Sequence, residues 1–520
     1  MKILLILLIV GAVSILSACS NMDNYPENVS EALNFAGDNR AELIRVIDHY
    51  KDSGDSLKLQ AAYFLIGNME DHCYVTYRLF DTSENTVEID PMTYENYEVL
   101  TIAIDSIEKT RGELDYESTD KIMDMETVSA DFLINQIDLA FTAWREKPWA
   151  GHLNFDEFCR YVLPYRGSNE PLEDWRSHFV KKYAGIDTLL ENSKDPVEAA
   201  GFINKDVRTW FGFDPRYYFH PTDQGMTEML ASGLGRCEDM TNMAIFALRA
   251  NALAVTSDFT PYWANTGNNH AWNAILTANG TVVPFMGAEA DPGQYKLHNK
   301  AAKVYRKTFD KQMGNLVFQP NKQDSLPRWL NRKYYTDVTA DYMDVCDVAI
   351  SCTEEIPDSA DIGYICVFNS GEFRPIHWGR IEDGRVTFTD MGNGIVYLPA
   401  SYQNKEIVAL ASPFILTEDC RIEYLIPDTG RTISINLSGV TKRAMAASTE
   451  TSKLGSLTIG EEYTLSYWDN GWQTLKEFSA AHSAVRIDEL PSGCLYWLIS
   501  SDGGREERIF TIKDGQQIFW

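Results

Sequence analysis

The 520-residue chain is short of cations: 46 Lys and Arg stand against 75 Asp and Glu, a formal net charge of −29. No basic face is available to neutralise a phosphate backbone, which excludes a nucleic-acid partner. The acidic excess favours solubility and says little about substrate. No Cys-x-x-Cys spacing occurs among the nine cysteines, so a zinc ribbon has no ligand set. His-Glu-x-x-His and calcium-loop patterns are both lacking, and no glycine-rich loop stands out as a phosphate cradle. The expected chemistry therefore uses no metal and no cofactor. Beyond the first 16 residues there is no long uninterrupted apolar segment, so no spanning helix is expected in the body of the chain.

What is present begins at the start. Met1-Lys2 precedes an apolar run from Ile3 to Leu16, followed by Ser17-Ala18-Cys19. A short basic region, an apolar segment and small residues form an export signal with a processing site. The Leu16-Ser17-Ala18-Cys19 end resembles a bacterial lipoprotein box. That resemblance implies a signal peptide over 1–18, lipidation of Cys19, and a polar tether over 19–35 holding the protein at the bacterial outer membrane. Asp23 and Glu27 in the tether hint at outward display.

The remaining length is too great for one core. From 36 to 190 the apolar residues recur at helical spacings, as in Leu43, Val46, Ile47 and Phe132, Ile134, Ile137, Ala140. Residues 97–110 and 121–145 read as helices, as does Leu172 to Leu190. From 191 to 325 helices give way to strands: a helix from Cys237 to Ala252, strands Val255 to Trp263 and Ala271 to Leu276, an Asn279-Gly280 turn, and a return strand Val282 to Phe285. From 326 onward short strands and turn residues dominate, read as two β-sandwich modules at 326–429 and 430–520. The fold class is multidomain α+β, with a helical N-terminal domain, an α+β core and two C-terminal β-sandwiches. Cys346 and Cys352 are close enough in sequence to pair.

Cys237 carries the functional reading. It sits in Gly235-Arg236-Cys237-Glu238-Asp239 at a helix start, where unpaired N–H groups favour a thiolate. His270 follows 33 residues later in Asn268-Asn269-His270-Ala271-Trp272. A thiol and an imidazole within reach form a nucleophile and its base. Glu238 and Asp239 oppose thiolate formation, so His270 is expected to supply much of the pKa drop. Trp272, Asn268 and Asn269 are expected in the site wall, and Gln224 as an upstream oxyanion donor. The plain alternative for Cys237 is a small residue packing the helix start.

Gly235-Arg236-Cys237 opening a helix and His270-Ala271-Trp272 opening a strand, with the strand-turn-strand that follows, resemble the transglutaminase-like superfamily, a papain-related fold. The resemblance spans 195–290. The chain as a whole looks like exported multidomain lipoproteins of Bacteroidetes that carry this core, on the phrases Lys58-Leu59-Gln60-Ala61-Ala62, Phe64-Leu65-Ile66, Leu163-Pro164-Tyr165-Arg166 and Glu170-Pro171. The family implies an acid in the return strand to orient the histidine. Here Met286 occupies that position, and a thioether is a poor acceptor for an imidazole N–H. Glu289 is the expected replacement, with Asp291 as the alternative; an Asn side chain or a backbone carbonyl also serves in principle.

The implied activity is cysteine-dependent acyl transfer, chiefly hydrolysis of an amide in a peptide, cell-wall peptide or glycopeptide, through a thioester on Cys237. The contrasting reading, which Met286 favours, is a degraded site that only binds peptide or glycan. A monomer is expected, touching the membrane through its lipid alone.

Overall fold

The computed structural model describes residues 25–322, 325–357, 360–439, 456–501 and 507–520. The expected signal peptide, Cys19 and the first part of the tether lie outside the described residues. Residues 27–35, expected in the tether, are instead part of the helical region. Glu27–Phe35 is a helix whose Val29, Ala32 and Leu33 recur at helical spacing and are buried.

The N-terminal region is built on helices Arg40–Ser53, Ser56–Gly67, Tyr97–Arg111 and Ala130–Glu146. Short polar side chains cap three of them: Asp55 accepts from the Lys58 amide at 3.2 Å, Asn96 from Val99 at 3.0 Å and Ser129 from Phe132 at 3.3 Å. Leu43, Val46, Ile47 and Tyr50 pack with Leu133, Ile137, Ala140 and Phe141 in one core. A two-stranded antiparallel ribbon, Cys73–Phe80 against Asp115–Met123, interrupts the helices where only helix was expected. The helix expected from Leu172 to Leu190 is confined to Trp175–Lys182, with a short 3-10 turn at Ile186–Thr188.

The helical region is welded to the next one. Trp175 stacks on Phe246 at 5.1 Å between ring centroids. The buried Arg176 guanidinium donates to the carbonyls of Arg249, at 2.9 Å, and Val162, at 3.0 Å. Phe246 and Arg249 belong to the helix Cys237–Arg249, which lies on an antiparallel five-stranded sheet. The strand order is Val282–Phe285, His270–Leu276, Val255–Thr260, Tyr305–Lys307, Tyr335–Asp337. Its last strand lies past residue 325.

Two β-sheet modules follow. In the first, strands run in one eight-stranded sheet from Val345–Ser351 at one end to Ile422–Tyr424 at the other. Cys346, in the first of these, is disulfide-bonded to Cys420, beside the last. The sheet is therefore rolled until its ends meet, and Val348, Val367, Phe388, Tyr397 and Phe414 fill the inside. This corrects two expectations: Cys346 pairs with Cys420 rather than Cys352, which is a free thiol, and one curled sheet stands where two facing sheets were expected. In the second module, the pair Asp428–Leu437 and Val485–Ser492 packs on a five-stranded sheet through Ile435, Leu437, Leu465, Ile487 and Leu498.

Candidate active site

Cys237 is the first residue of its helix, after Arg236 in extended backbone. The Asp239 carboxylate turns back and accepts from the Arg236 amide at 2.9 Å, fixing the helix start. It also accepts from the Gln224 backbone, at 3.1 Å, and from Gln224 Nε2, at 3.0 Å. Gln224 Nε2 donates its second hydrogen to the Leu234 carbonyl at 3.0 Å. Gln224 is thus fully buried and holds the loop against the helix; its amide hydrogens already have partners.

His270 opens its strand opposite Thr260. Trp272, two residues on and on the same face, is fully buried, and its Nε1 donates to the Tyr342 hydroxyl at 3.0 Å. Tyr342 donates to Asp258 at 2.7 Å, and Asp258 is clamped by Arg306 at 2.9 and 2.8 Å. This relay anchors the strand that carries the imidazole. Asn273 ties that strand to the cysteine helix: its Nδ2 donates to the Thr241 carbonyl at 3.1 Å and the Thr256 carbonyl at 3.3 Å. Its Oδ1 accepts from the Gly287 amide at 3.2 Å. A Cβ on Gly287 would collide with the Met240 carbonyl of the helix, so glycine permits the close approach.

The thiol is half-buried and free. The Tyr218 hydroxyl is within hydrogen-bonding reach of its sulfur. Burial, then the Glu238 carboxylate, pushes the thiol pKa up to about 11; the Arg236 guanidinium and Tyr218 pull the other way. The expected drop is reversed, because desolvation and the Glu238 carboxylate outweigh the helix start. Burial alone pushes the imidazole pKa down. The resting pair is therefore a neutral thiol and a neutral imidazole. They share one neighbour: the Tyr295 ring lies 6.3 Å from the His270 ring, and the Cys237 sulfur raises the pKa of its phenol after burial and Glu289 do.

The imidazole sits in an aromatic box of Trp263, Trp272 and Tyr295, with centroids 6.0, 5.9 and 6.3 Å away. No carboxylate contributes to its pKa shift. Met286 is buried, and its backbone exchanges two 3.0 Å hydrogen bonds with Ala290, closing a tight turn. Glu289, at the tip of that turn, has an exposed side chain; its carboxylate acts on Tyr295 and its carbonyl accepts from Arg208 at 3.0 Å. Asp291 is buried, accepting from Asn204 at 3.2 Å and facing Arg208 at 3.8 Å. Asn268 takes a left-handed turn conformation, with φ of 73°, and its side chain accepts from the Asn269 amide at 2.9 Å. Both asparagines are exposed at the mouth of the strand. Tyr218 and Tyr295 were not singled out by sequence reasoning. Tyr218 comes from the short 3-10 helix Pro215–Phe219 and Tyr295 from an irregular stretch; neither has a periodic signal, and only tertiary packing brings them to the thiol. Among the described residues no cluster of three or more His, Cys, Asp or Glu side chains is arranged to hold a metal ion.

The family model for the transglutaminase-like superfamily matches residues 186–285, which contain both Cys237 and His270. A crystal structure of red sea bream transglutaminase aligns with 86% of this chain and 78% of its own at 8% identity, with a TM-score of 0.19, a likeness too loose to argue from. No curated protein matches the chain. Over part of its length, the chain carries a domain of the transglutaminase-like superfamily, which is related to the papain-type cysteine hydrolases.

Proposed function

We propose that the protein is a cysteine hydrolase that cleaves an amide bond in a peptide, cell-wall peptide or glycopeptide, with Cys237 as nucleophile and His270 as general base. The observation that supports this most is the free thiol at a helix start, with a phenol on its sulfur, sharing Tyr295 with an uncharged imidazole. Because both partners rest neutral, the proton leaves the thiol as the sulfur attacks, in place of a preformed thiolate–imidazolium pair. The S–C bond forms, the carbonyl π pair moves onto oxygen, and His270 holds the thiol proton. The Cys237 backbone N–H and the Tyr218 hydroxyl serve as donors to the developing oxyanion. His270 then gives the proton to the leaving amine, and water hydrolyses the thioester. The aromatic box restrains the ring in place of an acidic partner; Glu289 acts through Tyr295.

In the same reading the chain is exported, lipidated at Cys19, displayed as a monomer at the bacterial outer membrane, and its β-modules grip the glycan or orient the core. The second reading, a surface protein that binds peptide or glycan without turnover, is favoured by the thiol pKa of about 11 and by Met286 in the family's acidic position. Peptide and muropeptide libraries read by mass spectrometry separate the two. Cleavage that disappears in Cys237→Ser and in His270→Ala supports the hydrolase; binding without cleavage in the unaltered protein supports the second.

A further inference from the structure

A cavity of about 510 Å³ lies where the helical region, the C-terminal end of the cysteine helix and the strand Tyr335–Asp337 meet. That volume suits a small ligand or a short peptide segment. In a chain of net charge −29, its wall is basic: Lys121, Arg166, Arg249, Lys307, Arg332 and Lys333 face one carboxylate, Asp71. Some of this charge is neutralised from behind. Asp124 pairs with Arg166, Glu238 with Lys307, and Glu70 and Asp71 with Lys333. The remainder makes no ion pair among the described residues. Arg249 donates to the carbonyls of Tyr161, Pro164, Arg166 and Val255, with the Glu170 carboxylate acting on it from further off. Arg332 is solvent-exposed in the wall and makes no ion pair among the described residues; the Glu238 carboxylate acts on it from further off, against the Arg328 guanidinium. Behind the wall, fully buried Asn242 lies against Gly167 with neither amide atom hydrogen-bonded.

The cavity is not lined by Cys237 or His270, but two of its wall residues connect it to their surroundings. Lys307 in its wall bonds Glu238, the residue after Cys237, and also Ser168 at 3.2 Å. Asn169 is shared with a smaller cavity of about 240 Å³ that contains Tyr218, whose hydroxyl reaches the sulfur.

We propose that this cavity binds a carboxylate of the substrate, so that the site selects peptides carrying an acidic side chain or a free C-terminus near the cleaved amide. The inference rests on Cys237 being the nucleophile of the neighbouring site, but the binding it describes does not need turnover. The guanidinium of Arg332 offers paired N–H donors matched to a carboxylate. Two arginines without an ion pair suit one or two negative charges, not a polyanion.

The test is calorimetric titration of the full chain carrying Cys237→Ala with three dipeptides: acetyl-Ala-Glu-amide, acetyl-Ala-Gln with a free C-terminus, and neutral acetyl-Ala-Gln-amide. At least tenfold tighter binding of one charged dipeptide than of the neutral one is expected, and which one identifies the source of the carboxylate. Arg332→Gln should remove that preference while leaving the thermal melt unchanged, because Arg332 makes no ion pair to lose. Equal binding of all three, tighter binding of inorganic phosphate than of either charged dipeptide, or a preference that survives Arg332→Gln overturns the inference. Selective binding without cleavage by the unaltered protein would instead overturn the hydrolase reading and leave this one standing.

Discussion

The pH dependence of Cys237 alkylation follows from the surroundings of the thiol. A thiol at about 11 rather than at its ordinary 9.0 holds about a hundredfold less thiolate at pH 8. Because the thiolate is the species that reacts, the iodoacetamide rate at Cys237 should climb about tenfold per pH unit from pH 6 to 10, with no plateau. The charges around the sulfur fix the signs of two variants. Glu238 raises the thiol pKa, so Glu238→Gln lowers it and speeds alkylation at pH 8. Tyr218 lowers it, so Tyr218→Phe slows alkylation. Mass spectrometry of the Cys237 peptide separates this signal from Cys352, the other free cysteine among the described residues that is not buried. A plateau starting near neutral pH would mean that the imidazole charges the sulfur at rest, and the neutral-pair mechanism would then be wrong.

Further outcomes concern the frame of the site. Asn273→Ala removes two donors and one acceptor from a fully buried position; a loss of about 3 kcal/mol in urea unfolding is expected. Gly287→Ala drives a Cβ into the Met240 carbonyl and should cost about 2 kcal/mol, with reduced activity because the helix must shift. Cys420→Ala opens a disulfide whose cysteines are 74 residues apart; chain-entropy loss predicts about 4 kcal/mol, which thermal melts with and without reductant will show.

The sequence exposed the elements that bear the chemistry more clearly than their surroundings. The helix at Cys237 and the strand pair Val255–Thr260 and His270–Leu276 stand out because apolar periodicity and the Asn279-Gly280 turn act over a few residues. The return strand Val282–Phe285 occurs where it was read. The ribbon Cys73–Phe80 with Asp115–Met123 was hidden, because its second strand is mostly exposed and polar and its partner is distant in the chain. The rolled sheet was hidden for a related reason. Short strands of the same pattern build a sandwich or a curled sheet, and here the contact between Cys346 and Cys420 shows which. At the site itself, residue types flagged the thiol and the imidazole, but not the reversal of the thiol pKa, which depends on how much protein encloses the sulfur.

The most direct test of the nucleophile–base pair is a burst experiment with p-nitrophenyl acetate on the full chain. Release of about one p-nitrophenolate per chain, an acetyl group on Cys237 in the intact mass, and a burst slowed about a hundredfold in His270→Ala are the predicted results. Acetylation at another residue, or a burst of unchanged rate in His270→Ala, would contradict the account.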